Sequence, residues 1–241
     1  MNPLFRLLAE NRATPGRRFE VRAAAGADEA EVFLYDAIVS DGLEAEFFGG
    51  VAPEPFVKAL RAITARTINL RINSPGGSVF AARAIEQALR DHPARIVAHI
   101  DGLAASAATF VAMAADEVVM GKGALFMVHK AWTMAFGNAD DLMDTAALLD
   151  KIDGTLVQTY ADRTKKPAEQ VSAWMAAETW FTAQEAVDAG FADRIAEDDA
   201  KARAGAWNLA AYGRAPLPEQ QPATADAAAL LRRLALAALS D

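Results

Sequence analysis

The chain has 241 residues, of which 53% are hydrophobic and 23% charged, and its formal net charge is -8. That is enough apolar material for one sizeable core, while the acidic balance argues against sequence-independent binding to nucleic acid, because phosphates would repel the protein. The absence of cysteine excludes disulfides and thiolate metal sites. The first residues lack the apolar core of a signal peptide and no apolar run is long enough to span a membrane, so we expect a cytoplasmic protein without membrane contact.

The first half of the chain alternates between strand and helix patterns. Strands are predicted where β-branched and aromatic residues concentrate, and helices where apolar residues recur at helical spacing. The predicted strands are EVFLYDAIV, TINLRIN, RIVAHIDG, DEVVM and ALFMVHK, and the predicted helices are PEPFVKALRAITA, SVFAARAIEQALRDHP and ASAATFVAMAA. This alternation indicates parallel β-α units and therefore an α/β layered fold.

Helical patterns dominate the next part of the chain. A long helix is predicted over Ala139–Thr164 and a short one around Pro167–Met175. A third is predicted over TAQEAVDAG, where Thr182 and Glu185 have the spacing of a capping box. Gly190 follows as the expected stop signal of that helix.

The composition divides the chain into three parts. Residues 1–28 mix small, charged and polar residues and are expected to form a loose N-terminal arm. Residues 29–197 are expected to form the folded domain. Residues 198–241 are rich in alanine, proline and glutamine, which is typical of a flexible extension, with a short amphipathic helix expected at residues 227–239.

Two junctions between a strand and a helix carry residues that could take part in chemistry. Sites in α/β sheets gather where strands end and helices begin, and here SPGGS follows one strand and GLAAS another. Ser106 would lie at a helix start with the free amide of Ala107 beside it, and Gly77, which has no Cβ, lets its amide approach a ligand. Two amides aimed at one point form an oxyanion hole. Each stretch alone is more typical of a turn or a packing helix, so the interpretation depends on their combination.

A serine nucleophile needs a base, and the chain has three histidines. His92 precedes a proline at a polar helix end and fits a surface residue. His99 lies within the strand IVAHI and fits a packed strand residue. His129 ends the strand ALFMVH and is the candidate base, although a lone histidine at a strand end is commonly a surface residue.

The motifs together resemble a known family. INSPGGSVFAARAI, IDGLAASAATFVAMAADEVVM, FMVHK and WFTAQEAVDAGFADRI occur in the order and at the intervals of the Clp protease proteolytic subunit, ClpP. The resemblance covers about Glu31 to Ile195 and is closest to the ClpP-like proteases of phages and prophages, which process head proteins during capsid assembly. It implies the ClpP/crotonase-like α/β fold of repeated β-β-α units. The helix over residues 139–164 would be the protruding handle that interlocks two rings, usually of seven subunits each.

The resemblance also implies a serine endopeptidase that uses neither a metal nor an organic cofactor. Ser106 matches the nucleophile of the family and His129 matches its base. Gly77 and Ala107 match the two residues whose amides hold the oxyanion. Ser106 would attack a peptide carbonyl, and an acyl-enzyme would form and be cleared by water.

The third member of the implied triad departs from the family pattern. ClpP carries an aspartate a few residues before the element that reads WFTAQEAV here, and the alignment brings Glu178 to that place. A glutamate can orient an imidazole, but its extra methylene changes the reach. Asp153 and Asp162, in the long helix, are weaker candidates for the role.

The implied partners are polypeptide substrates, further copies of the chain in heptameric rings, and phage capsid or scaffold proteins. The implied location is the bacterial host cytoplasm or the phage prohead. The N-terminal arm does not look like the axial loops with which ClpP docks an ATP-driven unfoldase, which argues against dependence on a Clp ATPase. The C-terminal extension has no counterpart in housekeeping ClpP, and self-cleavage within it is a further hypothesis.

Three other functions remain open at this level. A crotonase-type acyl-CoA enzyme would share the fold and the paired amides, but Ser106 and His129 have no purpose in that chemistry. A signal-peptide-peptidase type of enzyme would pair the serine with a lysine, for which the candidates are Lys122, Lys130 and Lys151. An inactive assembly or scaffold protein would keep the fold alone.

Overall fold

The computed structural model describes residues 3–24, 26–197 and 207–216. The helices in these ranges are α1 (Pro3–Glu10), α2 (Gly42–Phe48), α3 (Pro53–Arg61), α4 (Val79–Arg90), α5 (Ala107–Met113), α6 (Ala139–Thr164), α7 (Ala168–Ala176) and α8 (Ala183–Ala189). The strands are β1 (Arg18–Arg22), β2 (Glu29–Tyr35), β3 (Thr67–Ser74), β4 (Arg95–Ala105), β5 (Glu117–Met120), β6 (Leu125–Val128), β7 (Thr179–Thr182) and β8 (Arg194–Ile195).

The strands form one sheet with a branch at β4. Its main path runs β1-β2-β3-β4-β5-β8, in which the β1–β2 pair is antiparallel and the remaining pairs are parallel. β4 has two partners along its length: residues 97–100 pair with β5, whereas residues 103–105 pair with β6. β6 then pairs with β7 in antiparallel orientation. The end of β4 therefore lies beside the end of β6, and this pairing positions the site.

Apolar side chains of the sheet and of the helices packed on it form the main core. The inward residues Ile68, Leu70 and Ile72 of β3 are fully buried, as their alternation with polar residues predicts. All seven residues of α5 are buried, because its small side chains let the helix lie close to the sheet. The predicted α/β class is confirmed.

Helix ends follow the signals in the sequence. The Ser78 side chain accepts a hydrogen bond from an amide in the first turn of α4, and Thr182 and Glu185 form a capping box at α8. Gly190 ends α8 in the left-handed conformation, with φ 90°. The short elements α2 and β7 were not predicted from the sequence.

Two segments that were predicted to be flexible pack against the folded domain. The expectation of a loose N-terminal arm is wrong for α1 and β1, since Leu7 and Leu8 of α1 are buried and β1 completes the edge of the sheet. The expectation of a flexible extension is wrong for residues 207–216, where Trp207, Leu209 and Tyr212 are buried. The helix expected at residues 227–239 lies outside the described residues.

The long helix α6 is anchored at only one end. Its buried side chains all belong to its C-terminal half, from Asp153 to Thr164. The N-terminal half instead exposes the apolar side chains of Leu142, Met143 and Leu148. With 26 residues the helix is about 39 Å long, so its first half projects from the domain. Within the described ranges, no helix has both the length and the apolarity needed to cross a bilayer.

Candidate active site

Ser106 occupies a strained junction between β4 and α5. It is the N-cap residue of α5, with φ 53° and ψ -124°, a conformation rare for a residue with a side chain. Its amide donates to the carbonyl oxygen of Met127 at 2.9 Å, which continues the β4–β6 pairing by one residue. Strain of this kind persists only where the surrounding structure enforces it, and it is common at reactive residues.

The pairing of β4 with β6 brings His129 to Ser106. Ala105, the last residue of β4, is opposite Met127, so the residues that follow the two strands emerge side by side. A hydrogen bond of 2.7 Å joins His129 Nε2 to Ser106 Oγ. This is the contact through which an imidazole can take a proton from a hydroxyl.

The environment of His129 keeps its imidazole neutral. Burial lowers the pKa of His129 from 6.5 to about 4, because the charged form loses its hydration. The negative charge of Glu178 opposes this shift but is the smaller effect. Near neutral pH the ring is therefore unprotonated and able to act as a base.

The two glycines of SPGGS lie where a side chain would not fit. A Cβ on Gly76 would be 2.8 Å from Ser106 Cβ and 3.0 Å from the Ala107 amide nitrogen, and one on Gly77 would be 1.9 Å from the Ile38 carbonyl oxygen. Ile38 bonds to both neighbours of Gly77, through its amide to the Gly76 carbonyl and through its carbonyl to the Ser78 amide, each at 2.8 Å. These two bonds use the Gly76 carbonyl and the Ser78 amide, so the Gly77 N–H takes no part in the bridge to Ile38.

The first turn of α5 supplies a second amide near Ser106. Ala107 is the first residue of that helix, where the backbone N–H has no acceptor within the helix. Thr109 fixes this turn. Its hydroxyl donates to the Ser106 carbonyl oxygen at 2.6 Å and contacts the buried Tyr160 hydroxyl at 2.5 Å. The Ala107 amide thus lies beside the serine on a rigid support, and Gly76 is packed against both residues.

Glu178 lies near His129 but forms its hydrogen bonds elsewhere. Its carboxylate accepts from the Trp180 indole N–H at 3.2 Å and from the amides of Gly213 and Arg214 at 2.9 and 2.6 Å. Its backbone is in the left-handed region, with φ 47°. In the described part of the chain, its influence on His129 is electrostatic and not a hydrogen bond.

The other candidate residues have structural contacts. Asp153 accepts from the Ala131 amide at 2.8 Å and is 3.7 Å from the Lys130 ammonium, so it holds the segment after His129 against α6. Asp162 is exposed on α6 and accepts from Gln158. His99 contacts Asn69 at 3.2 Å within the sheet, as expected for a packed strand residue.

Aromatic residues around His129 complete the site, and one of them, Tyr212, was not among the residues predicted from the sequence. The ring of Trp132 contacts His129 with centroids 4.8 Å apart and stacks on Tyr212 at 5.3 Å. Tyr212 also contacts the rings of His129 and Trp180. The only local indication was that WNLAAYGRA places three large apolar side chains in an otherwise small-residue and polar region.

Comparisons with known proteins agree with this architecture. The profile of the family described as Clp protease matches residues 56–199. The chain is 36% identical over 137 residues to ATP-dependent Clp protease proteolytic subunit 1 of Leifsonia xyli subsp. xyli, a match that covers 55% of this chain and 68% of the relative. It is 35% identical over 135 residues to proteolytic subunit 2 of Corynebacterium glutamicum, covering 54% and 66%.

A solved structure shows the same fold. A mutant ClpP1 from Listeria monocytogenes superimposes with a TM-score of 0.60 at 22% sequence identity, covering 70% of this chain and 92% of that one. The family profile covers more than half of the chain and the sequence relatives are proteolytic subunits. The chain therefore belongs to the Clp protease family and is a ClpP-like peptidase.

Proposed function

We propose that the chain is a serine endopeptidase in which Ser106 is the nucleophile and His129 the general base. The observation that carries the proposal is the 2.7 Å hydrogen bond between His129 Nε2 and Ser106 Oγ, at a serine with a strained backbone. Membership of the Clp protease family supports the same chemistry.

The proposed reaction follows from the positions of these groups. Ser106 Oγ attacks the carbonyl carbon of the scissile peptide bond while its proton passes to His129 Nε2. The negative charge that develops on the carbonyl oxygen is held by the amides of Gly77 and Ala107. His129 then protonates the leaving amine as the C–N bond breaks, leaving an acyl-enzyme. Water, deprotonated by His129, attacks the ester carbonyl; the ester C–O bond breaks, the second product leaves, and His129 returns the proton to Ser106 Oγ.

We assign Glu178 the role of the acid that stabilises the imidazolium. Its charge raises the pKa of His129 against the effect of burial, which is what a triad acid must do as the ring gains a proton. Two of its present partners are backbone amides of residues 213 and 214. Closer contact with His129 would require these bonds to be exchanged.

We further propose that the peptidase works as a ring and that its substrates are phage head proteins. Members of the Clp protease family form oligomeric rings that act on polypeptides. The exposed apolar residues on the projecting half of α6 suit a contact between such rings. The head-protein substrate is supported by the motif resemblance to phage-coded relatives.

Active-site labelling tests the chemistry. The intact mass of the full chain would be measured after treatment with a fluorophosphonate probe, for the wild type and for Ser106→Ala and His129→Ala. We expect one adduct on the wild type and none on either variant. Ser172→Ala and His99→Gln, which change residues away from the site, should keep the adduct. A wild type that is folded and assembled but unlabelled would contradict the proposal.

The substrate is tested separately. The purified chain would be incubated with the capsid precursor encoded in the same phage or prophage genome, with Ser106→Ala as the control. Discrete cleavage of the precursor by the wild type alone is the expected result. An intact precursor, together with degradation of unfolded proteins only when a Clp ATPase and ATP are added, would instead indicate a housekeeping role.

A further inference from the structure

Residues 207–216 lie across the site that contains Ser106 and His129, and we call them the C-terminal strap. The strap is fixed at its first residues. Trp207 and Leu209 are buried in a small cluster with residues of α1, β4 and β6. The Trp207 indole N–H donates to Asn73 Oδ1 at 3.1 Å, and Asn208 exchanges two hydrogen bonds with Asn11, at 2.7 and 2.8 Å. These contacts hold the strap in one place.

Beyond this anchor the strap inserts Tyr212 into the site. The side chain is 5% exposed, and its ring contacts those of His129, Trp132 and Trp180. Its hydroxyl donates to the Pro75 carbonyl oxygen at 2.5 Å, directly before the two glycines. The phenol therefore occupies space between the base and the glycine loop, where a peptide carbonyl would have to enter.

The residues after Tyr212 engage the candidate triad acid. The Gly213 and Arg214 amides donate to the two carboxylate oxygens of Glu178, at 2.9 and 2.6 Å. Hydrogen bonds from backbone amides to a carboxylate are the stronger, charge-assisted kind. The strap thus holds Glu178 in the position where it lacks a hydrogen bond to His129.

We propose that the C-terminal strap is a resident inhibitor of this peptidase, with Tyr212 filling the substrate position beside Ser106 and His129. The inference rests on the proposed function, because it requires Ser106 to be the nucleophile. The strap presents a phenol, not a peptide carbonyl, to the serine and so is held without being cut. Catalysis requires a peptide or partner that displaces it.

The test is the second-order rate at which a fluorophosphonate probe labels the full chain. Tyr212→Ala removes the ring but keeps the Trp207 and Leu209 anchors. This variant should be labelled at least about tenfold faster than the wild type, which corresponds to a rise in the open fraction of the site from about a tenth to nearly all molecules. Tyr212→Phe keeps the ring and should remain closer to the wild type. Arg214→Pro, which removes an amide bonded to Glu178, should also label faster, whereas Arg214→Ala keeps that amide and should not.

A synthetic peptide guards against a variant that misfolds. The peptide WNLAAYGRAP, added to a variant in which Trp207, Leu209 and Tyr212 are all alanine, should slow labelling again, and the same peptide with alanine in place of tyrosine should not. Equal labelling of Ser106 in the wild type and in Tyr212→Ala, with no effect of the peptide, would overturn the inference and leave the proposed function intact. No labelling of Ser106 in any variant would overturn both.

Discussion

Replacing Gly76 by alanine should displace the nucleophile, and Gly16→Ala provides a matched control. Both glycines have left-handed backbones with similar φ angles, 92° at Gly76 and 79° at Gly16. An alanine in such a conformation costs roughly 1–2 kcal/mol of backbone strain, which both variants share. The two sites differ in what the new methyl group would meet. At Gly16 nothing lies within 4 Å, whereas at Gly76 the Ala105 carbonyl oxygen lies at 2.5 Å and Ser106 Cβ at 2.8 Å.

The methyl group on residue 76 can be accommodated only if the Ser106 turn or the glycine loop moves. A displacement of about 1 Å in a catalytic group costs on the order of 100-fold in rate, and loss of one oxyanion donor costs on the order of 100- to 1,000-fold. We therefore expect Gly76→Ala to be labelled by a fluorophosphonate at least about 100-fold more slowly than the wild type, and Gly16→Ala to be labelled at the wild-type rate.

The assay pairs the labelling rate with urea unfolding of both variants under the same conditions. The unfolding data show how much stability each alanine costs. Where both variants remain folded, the difference between their labelling rates reports the displacement of the reacting groups at Ser106. If Gly76→Ala and Gly16→Ala were labelled at the same rate, the close packing of the glycine loop against Ser106 would not position the reacting groups, and the reasoning would be refuted.

Three further predictions concern the histidine and the helices that support the site. Because the pKa of His129 falls from 6.5 in an unfolded chain to about 4 when buried, the unfolded state binds the extra proton between these values. The free energy of unfolding should thus rise by up to roughly 3 kcal/mol from pH 4 to 6.5, and His129→Gln should remove this slope. A stability that does not change over this pH range would contradict burial of the ring. Thr109→Val removes the donor to the Ser106 carbonyl and the partner of the buried Tyr160 hydroxyl. The free energy of unfolding, measured by chemical denaturation, should fall by about 1–3 kcal/mol, and an unchanged free energy would be inconsistent with these bonds. A Cβ added at Gly154 on α6 would meet no atom within 4 Å. Gly154→Ala should therefore stabilise the chain by about 0.5–1 kcal/mol in thermal unfolding, and destabilisation would instead indicate that another subunit packs on this face.

Local sequence patterns predicted several of the strands and helices around the site. The alternation in β3 and the capping signals at α4 and α8 depend on neighbouring residues, so they are visible without the fold. The candidate pair Ser106 and His129 was found for a similar reason, since each follows a recognisable strand. Their roles in catalysis remain predictions, while the hydrogen bond between them is a property of the structure.

The sequence by itself determined which residues could be nucleophile, base and amide donors, because these choices depend on residue type and on strand and helix ends. The tertiary structure alone decided what surrounds them. The β4–β6 pairing brings the two residues together, Glu178 binds the amides of Gly213 and Arg214, and Tyr212 reaches Pro75 across 137 positions of the chain. Such contacts depend on the packing of distant segments, which leaves no periodic signal in either segment, so a region with the composition of a flexible tail proved to contain part of the site.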